Sequence, residues 1–410
     1  MRTLYLGDRG TLVSYLQLAL NRARQQQEKM RTGQEQERTG QEQNQTGQDL
    51  VIDGRFGELT CRAYQQFTGQ NQTCSVDDAG WRKLLPYLRG YQTNSMGDIQ
   101  IFPFPLVSEQ VPYTSLLNEA VVDGLKIRYP FIETGSIGNT VMGKRIPYIM
   151  IGDGNTQVFY NASFHANESI TTPVLLKFAE EYAKAYQNGT DLYDVPARDL
   201  FHTYQLFLVP MVNPDGVDLV NGLLVNGSYY RQAREIAMQY PQIPFPAGWK
   251  SNIDGIDLNL QFPAGWENAR AIKAAQGYTS PAPRDYVGEA PLTAPESTAV
   301  YEFTREHNFS LILAYHTQGR VIYWRYLDYE PKDSYRIARY FGEVSGYAVE
   351  ETPTESGYAG YKDWFIQDYN RPGYTIEAGE GENPLPMTQF PQIYQENSGI
   401  LLGGMTQISV

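Results

Sequence analysis

Four histidines occur in the chain of 410 residues, at positions 165, 202, 307 and 316. Two of them follow apolar runs of strand character: His165 after residues 158–164 and His316 after residues 311–315. Glu168 lies three residues beyond His165, so a turn there would aim an imidazole and a carboxylate at one point. Imidazole nitrogen and carboxylate oxygen are suitable donors for zinc, and three protein ligands leave a fourth position open to water. His-x-x-Glu alone is a weak motif; its place at a strand end, with a second strand-end histidine far downstream, strengthens it. Glu377 ends another apolar run, residues 374–376, and a carboxylate buried near zinc can take a proton from water. The plainer readings are a histidine at a sheet edge, a glutamate opening a helix and a strand-terminal glutamate in solvent. His202 and His307 precede strand-like runs and are read as structural.

The elements that would position these groups are short. Residues 148–151, 158–164, 205–209, 311–315 and 374–376 read as strands, and residues 171–186 as a helix with Pro173 near its start. Strands between helices imply an α/β fold with a mixed, mostly parallel sheet flanked by helices. Active residues of such sheets lie beyond the strand carboxyl ends. This domain is expected over residues 111–410, after a Pro- and Gly-punctuated linker at 91–110.

Residues 1–90 read as a small domain of three short helices. Leu12, Val13, Leu16 and Leu20 share one helix face. Val51 to Gly57 forms an Asp-Gly turn, Thr60 to Phe67 a second helix, and Asp77 opens a third. Residues 25–48 interrupt this unit with a stretch rich in Gln, Glu, Thr and Gly. Thr-Gly-Gln recurs there every seven residues without an apolar seam, so the stretch is expected to be a solvated, mobile insertion rather than a coiled coil. Cys61 and Cys74 are the two cysteines; the preferred reading is two incidental small hydrophobes, with a single disulfide as the alternative.

Charge excludes two classes. Lys plus Arg total 33 against 46 Asp plus Glu, a net charge of −13. A nucleic-acid binder needs a cationic face, and attachment to anionic lipid needs the same sign. No apolar run reaches the ~18 residues of a membrane span, and the first residues lack the pattern of a secretory signal. A site inside the cell or its spore, or in the wall after release, is the expectation.

In order along the chain, His165-x-x-Glu168, Asn213-Pro214-Asp215-Gly216, Gly255-Ile256-Asp257-Leu258-Asn259, His316-Thr317-Gln318-Gly319 and Thr375-Ile376-Glu377 resemble the zinc metallocarboxypeptidase family. The resemblance implies one zinc per chain held by His165, Glu168 and His316, with Glu377 as general base and acid and Asn213 to Gly216 as a structural turn. It implies Lys250, beside Trp249, as the group that polarises the scissile carbonyl. Family exopeptidases follow Asp-Leu-Asn with Arg, and the Asn-Arg pair holds the terminal carboxylate of the substrate. Here Asn259 remains but Leu260 replaces the arginine, and a leucine cannot hold an anion. Asp363-Trp364 matches a family pair near the specificity pocket, which places Lys362 on the pocket floor. Tyr358 is the candidate for the family's mobile tyrosine, although Glu355 stands at the expected offset.

The first 90 residues resemble the peptidoglycan-binding domain of bacterial wall hydrolases, through Gly7-Asp8-x-Gly10, Leu16-Gln17, Asp53-Gly54-x-Phe56-Gly57 and Gln66-Phe67. Together the two parts are similar to γ-D-glutamyl-(L)-meso-diaminopimelate peptidases. That resemblance implies peptidoglycan stem peptides and muropeptides as partners, with Lys362 facing the side-chain carboxylate of the diamino acid. The alternatives are a zinc carboxypeptidase on other peptides, a catalytically inactive wall-binding protein, and an amidase of another wall bond.

Overall fold

The computed structural model describes residues 1–35, 49–69 and 74–408. Two units divide the chain, Met1–Val111 with Asp123–Arg128 and Pro112–Val122 with Tyr129–Val410.

In the first unit, α1 (Thr11–Glu35) packs on α2 (Glu58–Thr68) and α3 (Asp78–Arg89). Leu12, Val13, Leu16 and Leu20 of α1 are buried, as are Trp81, Leu84 and Leu88 of α3. Asp77 caps α3 by accepting from the Gly80 amide, filling one of the orphan donors of a helix start. The helix α1 continues to Glu35, so residues 25–35 are helical, contrary to the expectation of a mobile insertion. Gln, Arg, Glu, Lys and Met are good helix formers and outweigh the ~1 kcal/mol that Gly33 costs. The remainder of that insertion, residues 36–48, lies outside the described residues.

Two readings of this unit are corrected. Cys61 and Cys74 form a disulfide with a Cα–Cα separation of 5.2 Å. It ties α2 to the approach of β2 (Ser75–Val76), which pairs with β1 (Leu4–Tyr5). Residues 91–110, expected as a linker, carry the antiparallel pair β3 (Tyr91–Thr93) and β4 (Ile99–Ile101). Phe102, Phe104 and Leu106 are then buried, with Phe102 stacked 5.0 Å from Tyr87. Pro and Gly did mark turns there, but the aromatic residues between them bury too much apolar surface to stay in solvent.

Gln17 explains why a Leu-Gln pair and an Asp-Gly turn occur together. Its buried amide donates to Asp53 Oδ1 at 2.8 Å and to Thr60 Oγ1 at 3.2 Å, and its carbonyl accepts from the Gly54 amide at 3.0 Å. Gly54 has φ +67°, a conformation that glycine adopts without steric cost.

The second unit is built on an eight-stranded sheet. Its strands are β5 (Glu133–Asn139), β6 (Arg145–Ile151), β7 (Thr156–Ala162), β10 (Tyr204–Val209), β11 (Phe309–His316), β12 (Val321–Tyr323), β13 (Ala348–Glu350) and β14 (Gly373–Glu377). The short pair β8 (Asp191–Leu192) and β9 (Val195–Pro196) stands apart from it. The order is β13-β12-β14-β11-β7-β10-β6-β5, and β10, β7, β11 and β14 form a parallel centre. All five strands read from the sequence lie in this sheet. The near-continuous apolar runs of β7 and β11 follow from burial on both faces. Phe159 and Ile312 face a cluster containing Phe303 and Trp364, whereas the Tyr160 hydroxyl on the opposite face donates to the Leu401 carbonyl at 2.9 Å.

Register then sets the site. Tyr315 of β11 pairs with Ala162 of β7, and His316 pairs with Glu377 of β14. The carboxyl ends of three neighbouring parallel strands therefore deliver the expected chemical groups to one edge. Among the described residues no helix is long and apolar enough to cross a membrane.

Replacing Gln17 by Leu strips partners from the Gly54 amide and the Asp53 carboxylate, a loss of about 1–3 kcal/mol. Hydrogen exchange of the intact protein should show the Gly54 segment opening roughly tenfold or more faster; unchanged protection would remove Gln17 from this role.

Candidate metal centre and active site

The chain leaves β7 through Ser163, whose φ of +53° turns it sharply. The Ser163 amide donates to Thr171 Oγ1 at 3.1 Å, and Thr171 Oγ1 in turn donates to the Glu168 carbonyl at 2.8 Å. Within that knot, Ala166–Glu168 forms a single 3₁₀ turn. It sets His165 Nδ1 2.9 Å from Glu168 Oε1. From the end of β11, His316 Nδ1 comes to 3.0 Å from Glu168 Oε2 and 3.2 Å from His165 Nδ1. The three donor groups, all within 4.8 Å of one another, are separated by up to 151 positions in sequence.

These donors suit a zinc ion. Two imidazole nitrogens and a carboxylate oxygen match its usual ligands. Two Nδ1 lone pairs facing each other are unfavourable unless a cation or a proton lies between them. Charge points the same way: Glu168, Asp257 and Glu377 surround Lys250, and a dication balances the excess of carboxylates. Asp257 is the orienting partner. Its Oδ1 is 3.1 Å from His165 Nε2, which assigns the imidazole proton to Nε2 and leaves Nδ1 for the metal. Asp257 lies within the Asp-Leu-Asn motif, but nothing in that local pattern reveals its contact with a histidine 92 positions away.

Electrostatics in the pocket are strongly perturbed. Burial opposes charge on His165, but Glu168 and Asp257 outweigh it and push its pKa up to about 9. Burial and the nearby Glu168 push Glu377 up to about 8, opposed by Lys250 and His165. Burial also opposes charge on Lys250, yet Glu168, 3.4 Å from its ammonium, keeps its pKa above the ordinary value.

A cavity of about 520 Å³ opens over this centre, lined by His165, His316, Lys250, Asn259, Lys362 and Glu377 among others. Seven of the eight residues singled out from the sequence thus meet here, with Glu168 directly beneath as the buried carboxylate between the histidines. Asn259 Oδ1 accepts from the Tyr361 amide at 3.0 Å, which fixes the side chain in the cavity lining. Lys362 lines the floor, but its three N–H donors are taken by Asp363 at 2.7 Å, the Arg325 carbonyl at 2.6 Å and Thr352 at 3.1 Å. The expected open cation is thereby neutralised. Tyr358 lies outside the cavity, in a separate depression beside Tyr326, where the apolar cluster of Leu260 and Trp266 holds it. His202 pairs with Asp153, and His307 bonds the Phe303 carbonyl, both away from the site.

Comparison with known proteins decides the family. The model described as Zinc carboxypeptidase matches residues 118–399. The chain belongs to the zinc carboxypeptidase family. It is 47% identical over 296 residues to Gamma-D-glutamyl-L-diamino acid endopeptidase 1 of Lysinibacillus sphaericus, covering 72% of each chain. It is 25% identical over 286 residues to Carboxypeptidase B of Bos taurus, covering 65% of this chain and 63% of that one. Among solved structures, thrombin activatable fibrinolysis inhibitor shares the fold with a TM-score of 0.57 at 16% identity, over 74% of this chain and 77% of the other.

As a zinc carboxypeptidase family member the chain is a zinc metallopeptidase, and His165, Glu168 and His316 form its candidate zinc site. Leu260 is 8% exposed and packs with Trp266 and Val287 in an apolar cluster, so this position offers no anion site. Replacing Asp257 by Ala frees the His165 ring and should lower zinc affinity about 10–100-fold. Competition with a chelator measures this; unchanged affinity would show that Asp257 does not orient the ligand.

Proposed function

We propose that this metallopeptidase cleaves the γ-D-glutamyl bond to the diamino acid in peptidoglycan stem peptides. Leu260 carries this reading. A family member that reads a terminal α-carboxylate needs a cation beside Asn259, and that place is filled by an apolar side chain. A bond other than the last α-peptide bond removes the need for it. The name of the Lysinibacillus sphaericus relative, at 47% identity, supports the same bond. In the first unit, the motifs packed around Gln17 support wall tethering, which raises local substrate concentration.

Bound at His165, Glu168 and His316, zinc supplies Lewis acidity, lowering the pKa of water toward ~7 and polarising the scissile carbonyl. Glu377 is the proton carrier. Its raised pKa suits a group that accepts a proton from attacking water and returns it to the leaving amine. Lys250 supplies a fixed positive charge where negative charge develops on the carbonyl oxygen. Asn259 offers its amide N–H to the peptide, and the Lys362–Asp363 pair shapes the pocket floor without net charge. Water attack on the carbonyl carbon breaks the C–N bond, leaving the γ-carboxylate of D-glutamate and the free amine of the diamino acid.

Glu377→Gln should retain one zinc per chain and lose about 10²–10⁴-fold in turnover. Mass spectrometry of digested stem peptides, including a C-terminally amidated one, locates the cut. Cleavage that requires a free terminal carboxylate would instead mark a carboxypeptidase on ordinary peptides, and turnover by the Gln variant would remove Glu377 from the proton-carrying role.

A further inference from the structure

The catalytic cavity holds four cationic side chains, and three of them are committed. Lys250 faces Glu168 and is 19% exposed, Lys273 bonds Asp285 at 2.6 Å and is 10% exposed, and Lys362 is 4% exposed with its donors filled. Arg284 differs. Its side chain is 43% exposed, and its hydrogen bond among the described residues runs from Nε to Asp285 at 2.6 Å. The two terminal guanidinium nitrogens remain for something else. Asp285 does not fully neutralise it, because the same carboxylate also serves Lys273.

Arg284 is also held at a fixed place relative to the chemistry. The preceding Pro283 carbonyl accepts from the Lys250 and Ser251 amides, at 2.7 and 3.0 Å. The following Asp285 has φ +65°, and its amide donates to Asp257 Oδ2 at 3.1 Å. Asp257 is the residue that orients His165. The backbone on both sides of Arg284 is therefore tied to the segment that carries Lys250 and to the carboxylate that orients His165, and its guanidinium is held by Asp285 at the cavity wall.

We infer that Arg284 is the specificity residue of this site and binds a free carboxylate of the substrate through its terminal nitrogens. A planar guanidinium forms two parallel charge-assisted bonds with a carboxylate. The inference rests on the γ-D-glutamyl reading above, whose substrate offers two such groups close to the scissile bond. One is the α-carboxylate of D-glutamate, left free because the chain continues from its γ-carbon. The other is the side-chain carboxylate of the diamino acid.

The test uses full-length zinc-loaded protein and three peptides: L-Ala-γ-D-Glu-meso-diaminopimelyl-D-Ala amidated at its C-terminus, its D-isoglutamine analogue, and the analogue also amidated on the diaminopimelate side chain. In the wild type, amidating the recognised carboxylate should raise KM about 10–100-fold, the range of a charge-assisted pair. Arg284→Gln should cause a similar rise on the unmodified peptide and no further rise on that one analogue, which tells the two carboxylates apart. Arg284→Lys, which keeps the charge without the fork, should recover part of the loss. Calorimetry of the unmodified peptide on Glu377→Gln, with and without Arg284→Gln, reads the same loss in affinity without turnover. Equal losses on all three peptides, or none, would overturn the role of Arg284 while leaving the bond assignment standing. Wild-type protein that cleaves none of the three would overturn the bond assignment, and this inference with it.

Discussion

A carboxylate shared by two imidazoles at the end of a parallel sheet is the constraint on which the second unit depends. Glu168 is 1% exposed, and ionised burial of that kind costs several kcal/mol unless partners compensate. Its compensation comes from His165 on the same turn, from Lys250, and from His316 and the Thr317 amide at the end of β11. The contacts from His316 and Thr317 form only when β7 and β11 lie side by side in one register. The core that fixes the register, with Phe159, Ile312 and Trp364 at its centre, is thus also what makes the metal site affordable. A cation that binds the folded cluster and finds no such cluster in the unfolded chain adds its binding energy to folding.

The groups behind the metal donors also fix position. Asp257 divides its two oxygens, one toward His165 and one toward the Asp285 amide. Asn213, fully buried, donates to the Phe164 and Ser251 carbonyls at 3.1 and 3.0 Å, which ties the strand that precedes His165 to the segment that carries Lys250. This gives Asn213 to Gly216 the structural part that its family motif implied. Gly216 belongs there because a Cβ would come within 2.8 Å of Asn213 Oδ1, the Ser251 carbonyl and the Ala166 side chain.

What the sequence made legible follows from how local each signal is. Strand-end histidines and Glu377 were readable because continuous apolar runs mark buried parallel strands, and the residue after such a run lies at the carboxyl edge. Asp257 and Arg284 were not readable as a pair, since their relation to His165 is a crossing of loops 92 residues or more away in sequence. The Cys61–Cys74 disulfide also depends on spatial approach, here 5.2 Å between Cα atoms, which thirteen residues of spacing do not determine. Tyr358 and Lys362 were placed by offset from family motifs. Offset locates a backbone position but not the competing partners: Tyr326 and Leu260 draw the tyrosine aside, and Asp363 quenches the lysine.

The loss of an arginine at 260 and the presence of one at 284 belong to a single argument about selectivity. The chain carries a net charge of −13, so its average field repels an anionic peptide. That field is screened beyond about 8–10 Å at ordinary salt, and recognition is left to charges inside the cavity. There, a cation already paired and buried contributes little to binding another anion, because its field is largely cancelled. A partly exposed guanidinium whose partner is shared with a second cation retains an attractive field and free donors. The proposed reader at position 284 stands on the segment bonded to Lys250, whereas position 260 lies in the apolar cluster of Trp266 and Val287. On the proposed reading such a site would select for a carboxylate near the scissile carbonyl rather than for the end of a chain, which is the chemical difference between a γ-glutamyl bond and a terminal α-peptide bond.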